Sequence, residues 1–209
     1  MSEPKTKRRA MPAEDRREQL IQATIKCIAA QGLSSTTMAH ITNEAGLSMG
    51  IVNLHFESKE KLLVETLRHV TDEYLCGWND IISADTGNAA ATIKALLEFE
   101  FSASIVRKEK LAVWFAFWGE AKSRPIYQKI CAKNDQRTED SLAALFQKLI
   151  DKDGRSGKSL NAALLSSTLT ALVDGLWLDL LLTPKQMTRA KANEICLNYL
   201  RSVFASQFE

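Results

Sequence analysis

At 209 residues, 45% apolar and 25% charged, the chain is long enough for a small unit joined to a larger one around a sizeable core. Its 27 basic and 25 acidic side chains leave a net charge of +2, so bulk charge neither announces nor excludes a nucleic-acid partner. Only four prolines, nine glycines and no alternating Val/Ile/Thr run argue against a β-rich domain and for an all-α fold. Cys27, Cys76, Cys131 and Cys196 are far apart, form no C-x-x-C pair and have no clustered histidines beside them, so neither a metal site nor a cofactor is expected. Without a signal-peptide core or an unbroken run of 18 apolar residues, the expected location is the cytoplasm, with buried free thiols.

In chain order, residues 1–12 form a basic arm, with Lys5, Lys7, Arg8 and Arg9, expected to be disordered. It either neutralises phosphates or is an ordinary solvated terminus. Pro12 followed by Ala-Glu-Asp starts a helix in which Leu20, Ile21, Thr24, Ile25 and Ile28 keep a 3.6 period until Gly32 ends it. Thr36 or Thr37 caps a second helix whose Met38, Ile41 and Ala45 share a face. Gly46 takes the left-handed corner, and Ser48 has the chemistry to cap a third helix over residues 49–56. Val52 and Phe56, four apart, face inward there, leaving Met49, Gly50, Asn53, Leu54 and His55 outward. So short a helix needs propping by its neighbours, and two helices around a tight turn are the geometry of a helix-turn-helix.

The run G-L-S-M-G-I-V-N-L-H-F-E-S-K-E-K-L-L, starting at Gly46, resembles the recognition-helix signature of the tetracycline-repressor (TetR) family of bacterial transcriptional regulators. It departs from the common pattern at Asn53 and Leu54, where many members carry aromatics. The resemblance implies a homodimer whose paired recognition helices bind a pseudo-palindromic double-stranded DNA operator. Thr37, Ser48 and Lys59 are then expected at phosphates, and Met49, Gly50, Asn53, Leu54 and His55 at base edges. Asn53 has the geometry to read adenine, and Met49 and Leu54 to touch thymine methyls. The domains expected are 13–57 for DNA binding and 58–209 for ligand binding and dimerisation, about nine helices in all.

Beyond Ser58, Leu63, Leu67, Val70, Tyr74, Trp78 and Ile81 form an apolar stripe on a long fourth helix that joins reading unit to body without a flexible linker. Gly77 is its only soft point. Further helices are expected over 89–106, 111–121, 125–150, 160–182 and 187–208, with polar loops at 83–88 and 151–158 and a break at Pro184. The seventh has a charged middle over 133–140.

Trp114, Phe117 and Trp118 share a helix face at i, i+3 and i+4, which suits either core packing or the wall of a cation pocket. Glu98, Glu100, Glu120 and Asp174 are candidate compensating charges. Asp174-Gly175 inside an apolar helix is locally unfavourable, and suits either a ligand-facing Asp174 and Trp177 or a close helix approach at Gly175. K-L-A-V-W-F-A-F-W-G-E-A, with Pro125-Ile-Tyr and A-L-V-D-G-L-W-L, resembles the choline-responsive BetI branch of the TetR family, which represses choline-to-betaine genes. That resemblance implies a small-molecule effector, choline or a related quaternary ammonium, and a dimer through the last two helices. No nucleophile elbow, phosphate loop or H-E-x-x-H is present, so no catalytic residue and no enzyme activity is expected. The alternative is a small-molecule-binding helical module whose helix-turn-helix contacts protein.

Overall fold

The computed structural model describes residues 12–84, 87–153 and 160–208. The basic arm and most of the 151–158 loop lie outside the described residues. Among the described residues the chain is all-α: α1 (Ala13–Gln31), α2 (Met38–Ala45), α3 (Met49–His55), α4 (Lys59–Ser83), α5 (Ala89–Glu100), α6 (Lys108–Glu120), α7 (Pro125–Lys152), α8 (Ala162–Leu182) and α9 (Arg189–Val203), closed by a 3-10 turn at Ala205–Gln207.

Leu20, Ile28, Ile41, Val52 and Phe56 bury almost completely and hold α1, α2 and α3 together. Thr37 caps α2, its Oγ1 accepting from the His40 amide at 3.2 Å while the His40 ring accepts from the Thr37 amide. Gly46 adopts the left-handed conformation (φ 63°) at the corner. Ser48 does not cap α3: its side chain makes no such hydrogen bond. The ends of these short helices are closed from α1 instead. Gln19 Nε2 donates to the Ala45 carbonyl (2.7 Å), and Arg17 Nη1 donates to the His55 carbonyl (3.1 Å) while its guanidinium lies over the Phe56 ring.

α4 runs unbroken for 25 residues, about 37 Å at 1.5 Å per residue, from a Ser58 cap. Gly77 is not a weak point in it. A Cβ there would lie 2.4 Å from the Phe99 ring, so the missing side chain makes a notch into which α5 packs. α5 ends at Glu100 rather than near residue 106. Ser102 and Ser104 bond to each other (2.9 Å), the chain turns tightly, and Phe101 and Ile105 fold back into the core. α9 likewise stops at Val203, because Phe204 and Phe208 both turn inward and are fully buried, Phe204 against Phe146.

α7 starts at Pro125 and packs along α8, α4 and α5. α8 is long and apolar enough by length and composition to cross a membrane; here it packs against α6, α7 and α9 with a third of that stretch buried. In α6, Phe117 is fully buried edge-on to Tyr127, ring centres 4.9 Å apart, locking α6 to α7. Phe117→Ala is expected to cost about 3–5 kcal/mol, read as a lowered urea midpoint at constant chain concentration; a change below about 1 kcal/mol would contradict this packing.

Candidate functional site

The outward side of α3 is a small mixed surface. Leu54 is 80% exposed and Met49 42%, Gly50 and Asn53 are open to solvent, and His55 is half-buried. Val52 behind them is fully buried, so the side chains expected at base edges do stand on the free side. Gly50 adds no bulk near the start of the helix, where a side chain would meet little but the Ser48 hydroxyl. Thr37 and Ser48 are exposed on either side of α2 and its turn, and the Thr37 hydroxyl, accepting at the cap, keeps its own proton for donation. Lys59 is half-buried at the start of α4, in a recess shared with Ser34, Ser58, Glu60, Glu120 and Arg124.

The second feature is a cavity of about 410 Å³ in the body, lined from α4, α5, α6, α7 and α8. Of the residues singled out as either core or pocket wall, Trp114, Trp118, Asp174 and Trp177 line it; Phe117 does not, because it turns toward Tyr127. Of the acids considered from the sequence, Glu100 and Asp174 belong to the wall. Glu98 is exposed elsewhere, and Glu120 points to the reading unit, where it accepts from Ser34. Tyr74 sits among the aromatics, its ring centre 6.1 Å from Trp114, 6.0 Å from Trp177 and 6.0 Å from Trp78, edge-on to Trp114 and Trp177. Trp114 is in turn 5.9 Å from Trp118.

Glu100 is 5% exposed. Its Oε1 accepts from the Tyr74 hydroxyl (2.5 Å), its backbone carbonyl accepts from Trp177 Nε1 (3.1 Å), and its Oε2 has no partner among the described residues. Burial pushes this carboxyl up to about 8, against the Tyr74 hydrogen bond and with help from Asp174. Burial pushes Asp174 up to about 6, with Asp135 and Glu139 adding to it; Asp135, on the rim, rises to about 6 through partial burial and then Glu139. Among the described residues no Lys, Arg or His lines the cavity, and none of the four carboxyls makes an ion pair. A chamber of aromatic faces and uncompensated acids is chemically suited to an organic cation.

Sequence reasoning missed Tyr74 and Trp78, read as core stripe, and Asp135 and Glu139, read as a charged middle of α7. A signal was available: Cys131, Asn134, Thr138 and Leu142 are buried at helical spacing, and Asp135 and Glu139 fall between them along the same flank.

α6 joins the two features. Two residues beyond Trp118, Glu120 Oε1 accepts from Ser34 (3.1 Å) and Glu120 Oε2 pairs with Arg124 (3.8 Å). Arg124 Nη1 donates to Glu60 Oε2 (2.6 Å) in the first turn of α4, and the Tyr127 hydroxyl donates to Glu60 Oε1 (3.2 Å).

Residues 20–66 match the tetR family of bacterial regulatory proteins, and residues 89–205 match the C-terminal domain of BetI-type transcriptional repressors. The HTH-type transcriptional regulator BetI 2 of Chromohalobacter salexigens is 34% identical over 88% of this chain and 86% of its own length. BetI of Burkholderia mallei is 30% identical over 92% and 95%. Among solved structures, a transcriptional regulator from Pseudomonas aeruginosa PAO1 aligns with TM-score 0.82 and 28% identity over 95% of both chains. A regulator from Saccharomonospora viridis, solved in complex with choline, shares the fold at TM-score 0.78 and 18% identity, over 90% of this chain and 96% of its own. This chain therefore belongs to the TetR family of DNA-binding transcriptional regulators and, within it, to the BetI-type repressors.

Proposed function

We propose that this repressor leaves its operator when a quaternary ammonium such as choline enters the aromatic, acidic cavity. The observation that carries the reading is Glu100: a buried carboxyl ringed by Tyr74, Trp114 and Trp177 that, among the described residues, has one unpartnered oxygen and no cationic side chain in its chamber. The choline in the Saccharomonospora viridis regulator agrees with it. Operator binding places the site of action in the cytoplasm.

Residues 13–57 would read DNA, with Thr37, Ser48 and Lys59 on phosphates and Met49, Gly50, Asn53, Leu54 and His55 toward the bases. Residues 58–209 would hold effector and partner. Residues 13–57 carry three cationic and five acidic side chains, which leaves phosphate neutralisation to Lys59, Lys61 and the basic arm. Dimerisation through α8 and α9 is supported by an exposed seam on α8. Leu164, Thr168, Ala171, Gly175, Leu178 and Leu182 alternate at spacings of four and three, large at the ends and small in the middle, and nothing approaches Gly175. Effector entry would push on Trp114 and Trp118, and the Glu120–Arg124–Glu60 contacts would pass the shift to α1 and α4 together. An effector acts only through its preference for one of two arrangements.

Three outcomes test these assignments. Choline should quench or shift tryptophan fluorescence and raise the melting temperature; if it and related cations change neither, this effector class is dropped. Glu100 faces Tyr74 of α4, Asp174 of α8 with Asp135 and Glu139 of α7 behind it, and Cys196 of α9. With its carboxyl near 8, cation binding must expel a proton at neutral pH, so affinity should climb between pH 6 and 8, by at most about tenfold per unit for one proton. The carboxyl rises from its ordinary 4.5 to about 8 on folding, so the native state loses stability as pH rises through that window. Glu100→Gln should therefore weaken choline, flatten the profile and melt higher than wild type at pH 8; a profile unaltered by the change would contradict the assignment.

For the DNA face, Asn53→Ala should weaken specific binding more than non-specific binding, and Lys59→Ala both alike, by gel shift; equal losses for the two variants would discredit the division. For the coupling, Arg124→Ala removes exposed ion pairs, worth about 1 kcal/mol or less, together with the guanidinium contact over the Tyr127 ring. It should bind choline normally yet show a smaller choline-induced loss of operator affinity. Full induction in that variant would move the signal off this path.

A further inference from the structure

The cavity carries more negative charge, and more room, than one small ammonium can use. Its volume of about 410 Å³ lies in the range of pockets that bury drug-sized ligands, roughly 300–1,000 Å³, several times what a trimethylammonium head fills. The four carboxyls are also not clustered at one point. Glu100 is 5% exposed, Asp174 and Glu139 are half-buried and Asp135 is exposed. That gradient sets an inner pole at Glu100, among Tyr74, Trp114 and Trp177, and an outer pole at Asp135 and Glu139, one turn apart on α7, with Asp174 of α8. The apolar lining residues Ile93, Leu96 and Leu97 precede Glu100 on α5, and Leu169 and Val173 precede Asp174 on α8. An aliphatic segment held in the cavity would therefore meet apolar wall from both α5 and α8.

We propose that the preferred effector is an extended dication, with one ammonium group against Glu100 in the aromatic box and a second, across an aliphatic spacer, at the rim among Asp135, Glu139 and Asp174. This rests on the cation-site reading above and narrows it. A monocation at Glu100 leaves the rim acids repelling one another with no counter-charge from the protein, and a second positive pole removes that repulsion. The half-open rim suits a charged end that keeps part of its hydration, while the buried box suits a weakly hydrated one. Because the rim adds α7, a bridging ligand would also engage a helix that contributes nothing to the box.

The test is calorimetric titration of the full-length protein with tetramethylammonium, choline, alkyltrimethylammonium ions of graded length, and α,ω-bis(trimethylammonium)alkanes of the same lengths. The bis-cation of best length should bind about tenfold or more tightly than its single-headed counterpart of equal length, and its advantage should shrink as salt is raised. In an Asp135→Asn/Glu139→Gln variant that advantage should vanish, the double-headed ion losing about tenfold more affinity than tetramethylammonium. Glu100→Gln should weaken both classes. Equal affinity of single- and double-headed ions in the wild type, or a rim variant that weakens both alike, would overturn the dication. Failure of tetramethylammonium, choline and the bis-cations alike would instead remove the cation site itself. If the rim variant is unstable, the comparison of matched ions and its salt dependence in the wild-type protein decides the question.

Discussion

A carboxyl group kept out of water with a single tyrosine hydroxyl for company costs a folded chain a good deal, and Glu100 is held that way from two directions. Tyr74 of α4 donates to its side chain, and Trp177 of α8 donates to its backbone carbonyl at the last turn of α5. One residue thus ties together three helices and ends one of them. Burial keeps the proton on near neutral pH, which avoids a bare charge in the core but leaves the second oxygen without a donor. Such an arrangement is poor for stability and good for receiving a cation, the usual compromise of a binding site.

The same economy appears in α6. Its inner flank supplies Trp114 and Trp118 to the chamber, its buried Phe117 locks it to α7, and its last residue holds Ser34 near the end of α1. A rigid rod with one end in the cavity wall and the other in contact with the reading unit needs little movement to be felt at both. The long α4 joins the reading unit to the body without a flexible linker, and Glu60 in its first turn is one partner in a further set of contacts that α6 and α7 share.

Much of this could be read from residues. The helix-turn-helix was legible because its period, its glycine corner and its single inward edge at Val52 and Phe56 are all local, and Thr37, Ser58, Asn88, Asn161 and Thr188 each mark a helix start with a side chain that does accept from the backbone. The ends of α5 and α9 were not legible, because Phe101, Ile105, Phe204 and Phe208 continue an apolar pattern while the chain has already turned. Half of the chamber was hidden for a related reason. Tyr74 obeys the core stripe of α4, and Asp135 and Glu139 look like solvated charge until α5 and α8 are laid beside them. Arg17 and Gln19 left no trace at all, since their acceptors are main-chain carbonyls that every residue has.

The notch at Gly77 limits how the molecule can flex. With the Phe99 ring seated where a side chain would otherwise stand, α4 and α5 mesh like a tooth and a gap, and neither can slide along the other without first withdrawing that ring. Any reorientation of the reading unit that turns α4 must therefore drag α5 and Glu100 with it. The floor of the chamber travels with the lever, and the breathing room comes from the opposite wall.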